Sequence, residues 1–597
     1  MDSSEDEARW SLCLLCREEI DTEDETAILE CTKDCRIKER ILYCEDFPIR
    51  ICSLWFHKSC YQILMASYKK SKRPSLEIFR SFAAAVEPLH TPANPFLADT
   101  ASTWEGLVSH STKRIMAGIF RQELFMRLPV EIQSMIVDRI SPCRYLIVLG
   151  ETRRLIEQLR NVGWIECELV LNLKQTVYVT KTKYQGNLYI SGVSNSPLEA
   201  VDVDQERLEL PICIEKIILS VDHIGVRRLQ FLDHNTVPSS DDSPWYEIVD
   251  IQDSDVVVHV RFDGLFVRNL RIFRGQRLQP RIWSLPDPPD YNDWNVFGTL
   301  DNRHRSYVKL GAGIQGILAC CAESIIGIHG FRGLTKEYKS FNTFMEQLLD
   351  CYPAKRIFFP FHVNEVIQGA WVRRRIGCEA RYSSPTLIIR TSLGRVMSFG
   401  PHPLAALKYT YDFQSLLKRG DGTISGLFYD GMTSFAEHSF RMGVICDSNH
   451  PIAEFHESEP SLEQYLAPSI ESFLTQNLVT MHLTKAPLEG ILKVRIWRDH
   501  RYSCLPFTGL LLYYENGNIE SLGQIRLHED FELEIMAPIC IEHGVRTRGN
   551  LPFVKGVHGS ATCPRSRNED CEWQTLPLQG TIVWWTGYLV DKIDFYE

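Results

Sequence analysis

The tightest constraint on this chain is the crowding of seven of its 19 cysteines into the first 60 residues. They fall as Cys13-x2-Cys16, Cys31-x3-Cys35, Cys44, Cys52 and, joined by a histidine, His57-x2-Cys60. The start of the chain, Met1 to Glu7, is acidic and has neither the basic opening nor the apolar stretch of a signal peptide. No run approaches the about 18 apolar residues that span a bilayer. A soluble, intracellular protein, cytoplasmic or nuclear, is therefore expected. Reducing compartments disfavour disulfides, so the cluster calls for a metal.

Tetrahedral Zn²⁺ takes Cys and His ligands at short, fixed distances, and a small unit with little core needs such a staple. A two-residue spacer lets one backbone knuckle aim Cys13 and Cys16 at a single ion. His57 and Cys60 stand where an apolar helical run begins, with Tyr61, Leu64, Met65 and Tyr68. A knuckle combined with ligands at a helix start is the treble-clef arrangement. Eight candidates can also serve two ions. In a cross-braced layout Cys13, Cys16, Cys44 and Cys52 hold one ion, and Cys31, Cys35, His57 and Cys60 the other. The alternative is a set of buried or reactive thiols. The spacing, with Trp55-Phe56-His57 before the last pair, resembles RING- and PHD-type fingers. It departs from them in the long Cys44–Cys52 gap and in the place of His57.

The 597 residues are 44% hydrophobic and 24% charged, with a net charge of −11, which argues against a phosphate-backbone ligand for the chain as a whole. The short basic run Lys69 to Arg73 reads as a solvated helix end. Residues 1–68 form the cysteine-rich module. A proline-punctuated stretch, 69–124, reads as a linker with a helix from Trp104 to about Arg127.

Residues 125–164 then carry Leu128-Pro129-Val-Glu131-Ile132, followed by Met135, Ile136 and Ile140 on one helical stripe. Pro129 suits a first helical turn and Glu131 the positive end of the helix dipole. Pro142 is expected to stop this helix. Two further short helices, around Leu146–Leu149 and Leu155–Leu159, complete a trio. The segment resembles the F-box. That resemblance implies docking on the adaptor subunit of a cullin-based ubiquitin ligase through Leu128, Pro129, Ile132 and Ile136, with the rest of the chain selecting a target. A cysteine-rich start, an F-box and a long β-rich tail also look like a class of fungal F-box proteins. The bland reading is a helical hairpin between two domains.

From residue 165 to 597, short β-branched and aromatic runs alternate with Gly, Pro, Asn and Asp turns, which predicts a large, mainly antiparallel β domain, propeller or β-prism-like. Helical islands at Phe341–Leu349 and Ser461–Gln476 interrupt it. Leu387–Gly400 aligns without a gap on Leu510–Gly523, with glycines in step at 394 and 517 and at 400 and 523. Either two hairpins share turn chemistry or the β region is internally duplicated.

Catalytic motifs are scarce. Gly311-Ala-Gly313-Ile-Gln-Gly316 fits a dinucleotide fingerprint, but too few residues follow for a crossover helix, so turn glycines are the better account. His402, His500 and His543 have no readable nucleophile partner. Trp573, Trp584 and Trp585 suit core packing better than a carbohydrate face. The expectation is a non-enzymatic, F-box-type substrate adaptor with a structural zinc module. A lectin-like or ligand-binding β protein is the rival, and an independent zinc-dependent ligase ranks below both.

Overall fold

The computed structural model describes residues 13, 15, 25–31, 37–43, 53–68, 73–86, 128–129, 132, 141–162, 167–184, 187–197, 205–222, 224–241, 243–251, 256–274, 276–298, 304–311, 313–322, 325–351, 354–376, 385–402, 410–430, 441–451, 460, 465, 481–498, 507–527, 533–546, 551–559, 572–587 and 591–597. The chain divides into two compact units, Met1–Asp287 and Pro288–Glu597, a boundary inside the region that the sequence groups as one β domain. The fold is mostly β, in several antiparallel sheets with few helices. No described helix is long and apolar enough to cross a membrane.

In the N-terminal finger, strand Glu25–Cys31 pairs with Ile37–Tyr43 on one side and Ser53–His57 on the other. Helix α1, Lys58–Ala66, follows directly, with His57 as its N-cap. Cys60, Tyr61 and Leu64 recur at helical spacing and form its buried stripe. The Ser67 hydroxyl donates to the Leu64 carbonyl at 2.6 Å and satisfies one of the helix's last acceptors.

Helix α2, Leu76–Val86, lies in the stretch read from sequence as linker. Ser75 caps it, its Oγ accepting from the Ile78 amide at 3.4 Å. Helix α3 is one continuous element, Ser141–Val162, and corrects the expectation of two short helices there. Pro142 stands in the first turn of α3, where its missing N–H costs nothing; the helix expected before it lies outside the described residues. Ile136 and most of the first expected helix fall outside the described residues, as do the 104–127 helix and almost all of the 461–476 island.

These helices have no separate core. Phe56, Tyr61, Leu64 and Tyr68 of the finger, Phe79 and Phe82 of α2, and Leu155, Ile156 and Leu159 of α3 make one buried cluster with Tyr184, Tyr189 and Phe266 of the following β structure. Arg268 fastens the cluster by donating to the carbonyls of Ala85 and Ile224. Full burial of side chains this size contributes about 1.5–3 kcal/mol each.

The β region repeats one pairing scheme three times. Each copy has three central strands, and each of these pairs with the strand after it and with at least one other. In the first module the central strands are Val177–Tyr184, Lys216–Val221 and Val257–Phe262. The last of these takes Val267–Arg274 and, from the module's beginning, Cys167–Leu171. In the third module the corresponding strands are Ile491–Arg498, Ile539–Arg546 and Thr581–Thr586, and the first strand, His482–Pro487, again closes onto the last sheet.

The second module has the same pairings around Ile367–Arg375, Gly422–Asp430 and Gly316–Cys321, with one further bridge, Ile367 to Ile424, joining the first two of these strands. Its chain order is rotated: His304–Lys309, Gly316–Cys321 and Ile325–Phe331, the counterparts of the third module's final strands, come first. Each module surrounds its own apolar core, fed by all three central strands and their neighbours.

The aligned stretches 387–400 and 510–523 occupy the same hairpin of the second and third modules. Their turns match bond for bond. Gly394 donates to the Thr391 carbonyl at 2.9 Å and Gly517 to the Tyr514 carbonyl at 3.0 Å. Both glycines have positive φ, 77° and 83°, which an L side chain adopts only with strain.

Candidate functional site

The finger brings Cys13, His57 and Cys60 together, with one potential ligand atom from each within 4.8 Å of the others. His57 Nδ1 and Cys60 Sγ are 3.8 Å apart. Two ligands on a tetrahedral zinc at the usual bond lengths are separated by about 3.6 Å, so the pair fits an ion without rearrangement. The His57 amide points at Cys13 Sγ, N to S 3.4 Å, a donor that favours a thiolate over a thiol. Cys13 and Cys60 are buried and His57 half-buried.

This grouping corrects the cross-braced layout, which assigns Cys13 to one ion and His57 with Cys60 to the other. Strand register supplies the reason. His57 pairs with Thr26, whereas Cys31 ends the same strand five residues further on and pairs with Ile37. At about 3.3 Å per residue that is about 17 Å, too far for Cys31 to share an ion with His57. Cys16, Cys35, Cys44 and Cys52 lie outside the described residues, as does the Cys31 side chain.

Of the docking residues expected from sequence, Leu128 is half-buried, Pro129 is exposed and Ile132 is 40% exposed. Leu149, Leu155, Ile156 and Leu159 of α3 are buried in the shared cluster instead. Sequence periodicity identified them as apolar without showing which surface they meet.

A second candidate is an open cleft of about 1620 Å³ in the first module, where the loops around Leu173–Thr176, Glu209–Lys216 and Asp233–Pro238 converge. Lys174, Arg207, Glu215, His234 and Asn235 line it, and among the described residues no Phe, Tyr or Trp does. Its loops are read only as turns in the sequence, because their convergence depends on how three sheets pack.

The expected non-catalytic residues are placed as follows. Gly311 and Gly313 form a turn before strand Gly316–Cys321, with no helix after them, so a dinucleotide site is absent there. His402 is buried edge-on against Trp585, at 5.3 Å between ring centroids. Burial, helped by Arg373 and Lys485, holds its pKa down at about 3. Trp584 and Trp585 are fully buried, while Trp573 is half-buried beside His558. His500 lies outside the described residues, and His543 stands on strand Ile539–Arg546.

No protein-family model matches the chain, and no curated protein matches it in sequence.

Proposed function

We propose that this protein is a non-enzymatic recruitment adaptor of the F-box type, in which a zinc-stapled finger and α3 hold a short docking segment beside a large β recognition array. The observation that carries this reading is the contrast within residues 128–159. Pro129 and Ile132 face solvent, whereas the later apolar positions are buried, leaving the Leu-Pro start accessible to a partner. Zn²⁺ is the ion the finger suits, bound by Cys13, His57 and Cys60 with Cys16 as the fourth ligand expected from the two-residue spacing. When bound, it would staple the strand–helix junction, and the treble-clef reading rests on that knuckle-plus-helix-start geometry. The threefold pairing scheme within each module favours the β-prism-like version of the recognition region over the propeller.

The test is capture of the ligase adaptor subunit by the intact chain. Leu128→Ala/Pro129→Ala should weaken capture at least tenfold, about 1.4 kcal/mol, with folding kept. No capture by the wild type, or equal capture by the variant, defeats the proposal. A ligand-binding protein is the second reading, favoured by the cleft in the first module.

A further inference from the structure

The same sheet has opposite fates in two of the modules. In the second module, central strand Gly316–Cys321 is buried on both faces. One face supplies Ile317, Ala319 and Cys321 to the module core. The other is covered partly by helix α4, Lys336–Cys351, whose Met345 is buried with Cys320 and Ile326, and partly by Trp497, Leu511 and Ile525 of the third module, which cluster with Leu318. The helix lies so close that a Cβ on Gly327 would meet Met345 at 2.5 Å. Phe341 stacks on His329 at 5.1 Å. The helix also answers a sheet arginine: Arg356 donates to Asn342 Oδ1 at 2.9 Å and lies 3.7 Å from the Glu346 carboxylate.

In the first module the corresponding strand, Val257–Phe262, is buried on alternate residues only. Val258 and Val260 enter the core. The opposite face carries Val257, His259 and Arg261, with Arg271, Phe273 and Val170 beside them in register. Val170 is 61% exposed and Val257 43%. Phe273 packs on His259 at 4.8 Å, an apolar platform like that under α4. The Arg271 Nε is shielded from solvent and has no hydrogen-bond partner among the described residues.

We propose that this outer face docks an amphipathic, acidic α-helix of a partner protein. The face keeps what α4 meets in the second module, an aliphatic and aromatic patch beside a guanidinium, and no helix among the described residues covers it. Burying Val170 and Val257 calls for apolar side chains at helical spacing, and Arg271 calls for a carboxylate. The helix expected from sequence at 104–127 has the wrong charge, with Lys113, Arg114, Arg121 and Arg127 against Glu105 and Glu123. This surface is distinct from the Leu128–Pro129 segment, and the inference stands without the ligase reading.

The test is fluorescence anisotropy on the full chain, with a labelled 16-residue synthetic peptide carrying leucines at helical spacing and glutamates between them. Saturable binding is expected. A same-composition peptide with scrambled pattern, and a patterned peptide with lysine for glutamate, should each bind at least tenfold more weakly. Val170→Asp, at an exposed site that does not support the core, and Arg271→Glu should each weaken binding at least tenfold. Leu128→Ala/Pro129→Ala should leave it unchanged. The inference is overturned if the wild-type chain does not bind, if the scrambled peptide binds equally well, or if Val170→Asp binds as the wild type does. It is also overturned if a labelled 12-mer of oligouridylate binds more tightly than the patterned peptide.

Discussion

The N-terminal finger and the third module reach a fixed structure by opposite means. The finger has three short strands and a nine-residue helix, with candidate metal ligands at its junction and a core shared with α2, α3 and the first module. The third module closes ten strands around its own core, with Trp584 fully buried among Val494, Leu512 and Ile582. The difference teaches that the finger, with a core shared among neighbours, has candidate ligands where a staple would help, whereas the third module encloses a large core of its own and adds contacts to the second module. Small units bury too little surface for the latter.

The sharpest way to break that comparison is to remove the metal. Chelation, or Cys60→Ser, should unfold the finger, since ligand binding and folding are one event in such units. The Pro288–Glu597 unit should keep its melting transition. Elemental analysis with amide hydrogen exchange checks this: protection lost in 53–68 and kept in 507–514 is expected. Zinc below half an equivalent in a protected finger would remove the metal from the argument.

Acid should strike the other side of the comparison by several kcal/mol. His402 and His482 of the second unit are buried, and burial lowers both pKa values to about 3, with Arg373 and Lys485 adding to the effect at His402 and Lys355 at His482. An unfolded histidine titrates near 6.5, so between about 6.5 and 3 the unfolded chain binds protons that the folded one refuses. Stability from these groups is complete above about pH 6.5 and falls as the pH drops. Urea denaturation of the full chain at pH 7 and pH 5, followed by tryptophan fluorescence, measures it. His402→Phe should flatten the slope, and an unchanged slope would mean that His402 does not stay neutral.

The smallest effect sharpens the likeness between modules. Gly394→Ala and Gly517→Ala place a methyl group where nothing lies within 4 Å, so only backbone strain is added. Each should cost about 1–2 kcal/mol in thermal denaturation. Costs that differ by more than about 1 kcal/mol, on the same scale of strain, would show that the two hairpins share a sequence pattern without sharing a conformation.

Parts of this architecture were legible in the chain and parts were not. The alternation of β-branched residues with Gly and Asn turns marks sheet, and the aligned glycines at 394 and 517 mark one repeated hairpin. The first module carries no such mark, because strand pairing leaves no fixed residue signature: Val257–Phe262 and Thr581–Thr586 pair alike and share no motif. The second module was hidden further by its rotated chain order. Helix α2 was missed because Leu76–Val86 is only 11 residues long and follows a proline. The continuity of α3 is hidden in the sequence by Gly150 and the polar run Glu151–Arg154 between its two apolar stretches, which a helix tolerates at a small cost.

By itself the sequence determined the metal chemistry on offer, the β character of the long C-terminal region and the turns that need glycine. These are local properties, set by ligand type, side-chain branching and allowed φ. Only tertiary structure decided that Cys13 joins His57 and Cys60, that α3 buries its apolar stripe against the finger, and that three modules share one pairing scheme. Those outcomes depend on register and on which surfaces meet. A single residue's slip in register reverses a strand's faces, and no one segment carries that information.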